Sequence, residues 1–206
     1  MRKIFIDGGA NKGQSTQSFL REWPNSHEFE IFMFEPNSKS PRILGDKTTL
    51  IKKAIWIYDG QIQFHEKNSS SEGNTLLKEK VHLENKVYKT KTVECISLSD
   101  WIKRNFSKED YIILKLDIEG AEYEVMRHLE KNNIFDFINM FFCEIHGLKC
   151  GKDFEESMKL IEICHKNKLI PYRWNGETFK FEEYKDRIYS EEHMKSEFKK
   201  WKKRGL

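Results

Sequence analysis

No apolar run in the 206 residues reaches membrane-spanning length, so no helix of this chain is expected to cross a bilayer. The first residues enter a strand at once, without a secretory leader's order of charged, apolar and small segments. The expected compartment is the cytoplasm. Cysteine is sparse: Cys95, Cys143, Cys150 and Cys164 lie irregularly, with no C-x-x-C. That spacing reads as reduced thiols rather than a disulfide framework or a zinc site. Excess charge is also small, 36 basic against 33 acidic residues for a net +3, and composition does not mark a nucleic-acid binder. No repeat or domain boundary is visible. Residues 1–206 read as one domain, long enough to bury a sizeable core, with 15 Phe and 5 Trp to fill it.

Around one stretch the rest is organised. Lys3-Ile4-Phe5-Ile6-Asp7 is a short apolar strand running into Gly8-Gly9-Ala10-Asn11-Lys12-Gly13, and a polar helix start follows at Gln14-Ser15-Thr16. Glycine there lets the backbone turn tightly and approach a ligand closely. Strand, glycine-rich turn and helix build the nucleotide crevices of open α/β sheets. The turn has neither the regular G-x-G-x-x-G of dinucleotide enzymes nor the G-K-[ST] ending of a phosphate loop. Asp7 at the strand end suits a cofactor carrying positive charge or amine donors better than one carrying phosphates. The direction is S-adenosylmethionine; an NAD-type oxidoreductase is disfavoured.

The pattern predicts a helix over Gln14 to Glu22, stopped by Pro24-Asn25-Ser26, then a strand over Glu30 to Phe34 ending in Glu35-Pro36-Asn37. Ser40-Pro41 opens a short helical turn. Thr48 to Ile57 reads as a third strand, with Tyr58-Asp59-Gly60-Gln61 turning into Ile62-Gln63-Phe64. Asn68 to Asn74 is a low-complexity loop with the composition of a lid or substrate edge. Lys78 to Lys91 is highly charged and takes no assignment, while Val87 to Ile96 reads as a strand. Ser97 caps a helix, Tyr111 to Asp117 is a buried strand, Gly120 to Lys131 a helix, and Ile138 to Ile145 another buried strand. Asp153 and Glu156 stand at capping-box spacing before a further helix. Ile170 to Trp174 and Thr178 to Phe181 form a terminal pair across Asn175-Gly176. A last amphipathic helix carries Met194, Phe198 and Trp201 and ends in basic residues at Lys199 to Arg204, which reads first as a solvated helix end. The expected fold is α/β, Rossmann-like: a mostly parallel central sheet with an antiparallel edge pair and helices on both faces.

In such a sheet the ligand lies beyond the carboxyl ends of the strands. Those ends hold Asp7, Glu35, Asp117-Ile118-Glu119-Gly120 and Glu144-Ile145-His146. Glu35 has the placement of an acid that accepts from both ribose hydroxyls. Lys53 to Ile55 would line the adenine, and Asp7 with the amides of Gly9 to Lys12 would hold the methionine portion. The expected cofactor set is Asp7, Gly8, Gly9, Ala10, Asn11, Gly13, Ser15, Thr16, Glu35, Pro36 and Ala54. Lys115, Asp117 and Glu119 alternate along an extended segment and so face one side. They read either as a structural ion pair or as an active-site cluster with Asp117 or Glu119 as base and Lys115 orienting it. Asp117 is the first choice of base and His146 the second. Asp117, Glu119, Glu144 and His146 also have the donor types of an Mg²⁺ or Mn²⁺ site. Trp56, Tyr58 and Trp174 are candidates to stack on a sugar.

These blocks together resemble the FkbM-type methyltransferases: Phe5 to Gly13, Phe34-Glu35-Pro36-Asn37, Ala54 before Asp59-Gly60, Ser97 to Ile102, and Leu114-Lys115-Leu116-Asp117-Ile118-Glu119-Gly120-Ala121-Glu122. The resemblance covers roughly residues 3 to 146. Gly8 stands where a branched apolar residue is usual. The resemblance implies a Rossmann-like, S-adenosylmethionine-dependent enzyme that methylates a hydroxyl of a sugar or natural product. It makes Asp7, Gly9, Asn11 and Glu35 cofactor contacts and sets Asp117 and Glu119 towards the transferred methyl. The expected partner is thus a sugar or glycan hydroxyl, with no nucleic acid. The rival readings are a nucleic-acid or protein acceptor, and a catalytically silent cofactor-binding module.

Overall fold

The computed structural model describes residues 1–37, 45–67, 73–84, 87–174 and 184–203. The turn expected at Ser40-Pro41, most of the Asn68–Asn74 loop, and Thr178–Phe181 with its Asn175-Gly176 turn lie outside them.

The near-continuous apolar runs form the inner strands of a six-stranded parallel sheet, with shorter strands at its two edges. In chain order these are β1 (Lys3–Gly8), β2 (Glu30–Phe34), β3 (Thr48–Ile51), β7 (Tyr111–Leu116), β8 (Ile138–Cys143) and β9 (Pro171–Arg173). They lie in the order β3-β2-β1-β7-β8-β9, and every pairing is parallel. A second, three-stranded sheet has β6 (Tyr88–Ser97) between β4 (Ala54–Trp56), parallel to it, and β5 (Gly60–Lys67), antiparallel to it. The antiparallel edge thus falls in this small sheet, whereas β9 joins β8 in parallel. The single strand expected over Thr48 to Ile57 is two strands in two sheets. Lys53 N bonds back to Ile51 O at 2.8 Å and breaks the run between them.

Alternation along β1 and β7 divides the core in two. Ile4, Ile6, Ile112, Leu114 and Leu116 point into one cluster with Leu98, Ile102, Tyr123, Leu129 and Leu160. These come from α3 (Leu98–Asn105), α4 (Glu122–Lys131) and α5 (Phe154–Lys166). Met194, Phe198 and Trp201 of α6 (Glu191–Lys203) join the same cluster. On the other face Phe5, Ile31, Met33 and Ile113 meet Phe19 and Trp23, at the end of α1 (Gln14–Glu22). Helix starts follow the capping signals: Ser97 Oγ accepts from Asp100 N, and Asp153 with Glu156 makes the reciprocal box. In the unassigned charged stretch α2 (Lys78–Glu84) forms. The four cysteines are buried and not joined to one another, and no described helix is long and apolar enough to cross a membrane.

Candidate functional site

Because β2, β1, β7 and β8 are adjacent and parallel, their carboxyl ends bring Glu35, Asp7, Asp117 and Glu144 to one edge of the sheet. A cleft of about 120 Å³ opens there. Gly9, Asn11, Phe34, Glu35, Pro36, Ala54 and Ile55 line one part of it. Asp117, Ile118 and Glu119, with Gly73 to Leu76, line the other.

Glu35 is 7% exposed, with one backbone amide on each carboxylate oxygen: Asn11 N on Oε2 and Asn37 N on Oε1, both at 2.9 Å. Burial raises its pKa, against the opposing pull of those two amides. The amides fix the carboxylate in the cleft wall and leave lone pairs for a second partner on each oxygen.

The glycine turn is built differently from the expected amide cradle. Gly9 N and Ala10 N both donate to Phe34 O, Asn11 N to Glu35, and Lys12 N to the Gln14 side chain. All four amides are thus engaged within the chain. Asp7 is fully buried and outside the cleft lining, where it accepts from Ser15 Oγ at 2.5 Å and Thr16 Oγ1 at 2.7 Å. Its carboxylate ties the helix start to the strand end through Ser15 and Thr16, while Oδ1 has no hydrogen-bond partner among the described residues and lies 3.1 Å from Lys115 Nζ. Ala10 is core, and Gly13, at φ +89°, caps α1. A Cβ on Gly8 would come within 2.8 Å of Ile55 Cδ1 and Leu116 Cδ2, so these side chains fill the space of a branched residue there. Lys53 pairs with Glu94 at 3.3 Å and does not line the cleft; Ala54 and Ile55 do.

Lys115 is 1% exposed and donates to Gly8 O and Gly9 O at 3.1 and 3.0 Å, with Asp7 Oδ1 at 3.1 Å and Asp117 Oδ2 at 3.8 Å. Burial disfavours its charge, but Asp7 and Asp117 outweigh that and raise its pKa. Lys115 therefore sits beneath the turn as a buried cation. Asp117 retains 21% side-chain exposure on the cleft, and its pKa is pushed up to about 6. Burial is the main cause, and Glu144 and Glu119 add to it against Lys115 and His146.

His146 is buried, not exposed as a loop histidine would be. Its Nδ1 lies 2.8 Å from Glu122 Oε1 and its Nε2 3.1 Å from Glu119 Oε2, with Glu144 Oε1 at 3.6 Å. Burial opposes its charge, yet Glu119, Glu122 and Glu144 hold its pKa well above the usual value. Two carboxylates bracketing both ring nitrogens favour the imidazolium. Burial would raise the Glu119 carboxyl, but His146 and Lys80 hold it well below the carboxylate range. Lys80, 1% exposed on α2, pairs directly with Glu119. Glu119 has φ +56°, and its carbonyl accepts from Thr75 Oγ1 at 2.7 Å, which ties the Gly73–Leu76 wall to the β7 end.

Lys80, Thr75 and Glu122 are the residues the sequence reading missed. Glu122 stood inside the quoted block, and its carboxylate also takes Gly120 N at 2.8 Å and His146 N at 3.1 Å. Asp117, Glu119 and His146 come within 4.8 Å of one another. The set fits a divalent cation poorly, because Lys80 and His146 already neutralise Glu119. Trp174 is core, with Lys115 Nζ 5.5 Å from its ring centre, and Trp56 packs on the main cluster; only Tyr58 is exposed.

No curated protein and no solved structure matches the chain. The family model described as the methyltransferase FkbM domain matches residues 7–169, reaching past the 3–146 read from the motifs and through α5. Since that match takes in most of the 206 residues, the chain belongs to the FkbM methyltransferase family.

Proposed function

We propose that the protein is an S-adenosylmethionine-dependent O-methyltransferase acting on a hydroxyl of a sugar or glycan. The observation that carries this reading is one cleft holding both an amide-fixed carboxylate, Glu35, and a carboxylate of raised pKa, Asp117. When bound, S-adenosylmethionine supplies an electrophilic methyl group on a sulfonium.

Glu35 has the remaining acceptor capacity for a pair of vicinal hydroxyls, and Phe34, Pro36, Ala54 and Ile55 offer apolar walls to a flat ring. Gly9, Asn11 and Ile118 are left for the amino-acid end. Asp117 takes the acceptor hydroxyl's proton on a carboxylate oxygen. With a pKa of about 6 it is mostly ionised above pH 7, yet more basic than an ordinary aspartate. Lys115 positions the turn and Asp117 without touching the reacting atoms. Lys80 and His146 hold Glu119 in place at the cleft. The Gly73–Leu76 wall helps to exclude water from the reacting groups.

The test is a melting curve with S-adenosylhomocysteine, then incubation of labelled S-adenosylmethionine with free and oligomeric sugars and mass spectrometry of the products. A ligand-dependent rise in melting temperature and label on a sugar oxygen are expected. No shift at saturating ligand overturns the donor assignment, and label found only on RNA or protein overturns the acceptor class.

A further inference from the structure

A second concavity, of about 620 Å³, lies against the small sheet. On an extended strand neighbouring side chains face opposite ways. On β5, Phe64 faces the cleft described above, whereas Gln61, Gln63 and His65 line this groove, with Ile62 adding an apolar contact at its edge. Thr92 stands opposite Gln63 on β6 and accepts from its amide at 3.1 Å, and Tyr58 adds a ring that is 45% exposed. Lys78 and Glu79 form the rim, one charge of each sign.

Two observations point to a ligand. His65 is 5% exposed and holds Thr90 Oγ1 at 2.8 Å through Nδ1, but its buried Nε2 has no hydrogen-bond partner among the described residues. Buried polar atoms of this kind are rare without one. The groove also adjoins the cleft: Leu76 lines both, and Thr75 beside it is hydrogen-bonded to the His65 backbone in both directions, at 2.8 and 3.0 Å.

The chemistry is that of a polyhydroxyl partner. Two primary amides donate and accept, a threonine hydroxyl does the same, and an exposed aromatic ring offers a stacking face. Glu79 offsets Lys78 on the rim, so the groove offers a polyanion no net positive charge. We propose that this groove is the subsite for the distal residues of a neutral oligosaccharide whose methylated sugar lies in the cleft beyond Leu76. The proposal rests on the glycan reading above and extends it from one sugar to a chain.

The experiment is binding of the full chain to a printed array of neutral and acidic oligosaccharides and monosaccharides, with and without saturating S-adenosylhomocysteine. It is repeated with Gln61→Ala/Gln63→Ala, whose exposed positions carry no core contacts. Neutral oligosaccharides are expected to be retained and their monosaccharides not. The double variant is expected to lose at least tenfold in that binding, with unchanged affinity for S-adenosylhomocysteine by calorimetry. Equal retention by the double variant overturns the groove assignment. So does retention of acidic glycans only, or of none. Failure of S-adenosylhomocysteine to bind overturns the donor reading instead, and the array without it still reports on the groove.

Discussion

Gly9 and Asp117 are in direct backbone apposition: a Cβ on Gly9 would lie 1.9 Å from the Asp117 carbonyl oxygen. Asp117 N in turn donates to Gly8 O at 3.1 Å, so the turn after β1 and the end of β7 are one joint. Gly9 also sits at φ +75°, where an L side chain is strained. Gly9→Ala is therefore expected to destabilise the fold by about 3 kcal/mol, from backbone strain and overpacking together. For a chain of this size that is a fall of roughly 6–12 °C in melting temperature. A calorimetric scan reads it. A variant that melts within a degree of the parent would show that the joint gives way easily.

Glu35 supplies the second prediction. Its two oxygens organise the Asn11 and Asn37 amides and remain open to the cleft. Glu35→Ala removes acceptors that two hydroxyls would use, so the dissociation constant of S-adenosylhomocysteine should rise by about 10–100-fold. Isothermal calorimetry measures it. An unchanged constant would move the hydroxyl-binding role elsewhere in the cleft.

How much of this was legible in the sequence follows from what each residue answers to. β1, β7 and β8 announce themselves because both their faces are covered, which leaves apolar runs whose polar ends must meet at one sheet edge. The Ser97 and Asp153 caps are local chemistry and read correctly. The break at Lys52-Lys53 is not local: Thr48–Ile51 and Ala54–Trp56 have the same strand composition, and only tertiary pairing sends them to different sheets. Lys80 was hidden for a similar reason. In a segment dense with charge nothing marks the one lysine whose partner, Glu119, lies 39 residues away. The type and position of Asp7 fit a ligand contact, but nothing local in the sequence says that the hydroxyls of Ser15 and Thr16, a turn later, also bond to it.

The pH dependence gives the third prediction. Asp117 must be ionised to accept a proton, and its pKa stands near 6. Activity should rise with pH through an acid limb centred there, and Asp117→Asn should lower kcat by about 10²–10⁴-fold with donor binding kept. The His146 imidazolium is one of the charges that lower the Asp117 pKa. His146→Gln should accordingly shift the limb to higher pH while leaving measurable turnover. Abolished turnover with donor binding intact would instead make His146 the base. The stability side has the opposite slope. The raised pKa of His146 contributes stability that is complete below about pH 6.5, the unfolded histidine value, and is lost as pH rises through the folded one. The parent should therefore lose more of its melting temperature than His146→Gln as pH rises through that window.

The charge balance around Glu119 decides the metal question. Its carboxylate holds Lys80 and faces His146 Nε2, both cationic, and Glu122 holds the other ring nitrogen. A divalent ion reaching Glu119, Asp117 and His146 would have to strip a proton from the imidazolium and displace the ammonium. Activity after dialysis against EDTA is expected to stay within twofold of the untreated protein. Recovery that depends on added Mg²⁺ or Mn²⁺ would overturn this. The same balance predicts that Lys80→Met costs about 1.5–3 kcal/mol in denaturant unfolding, the worth of a hydrogen bond to a charged group, because His146 still faces the Glu119 carboxylate. Were the carboxylate cluster instead built for a metal, removing that ammonium would create cation affinity, and Mg²⁺ would raise the melting temperature of Lys80→Met but not of the parent. No such rise is expected, because His146 still closes the site from its other side.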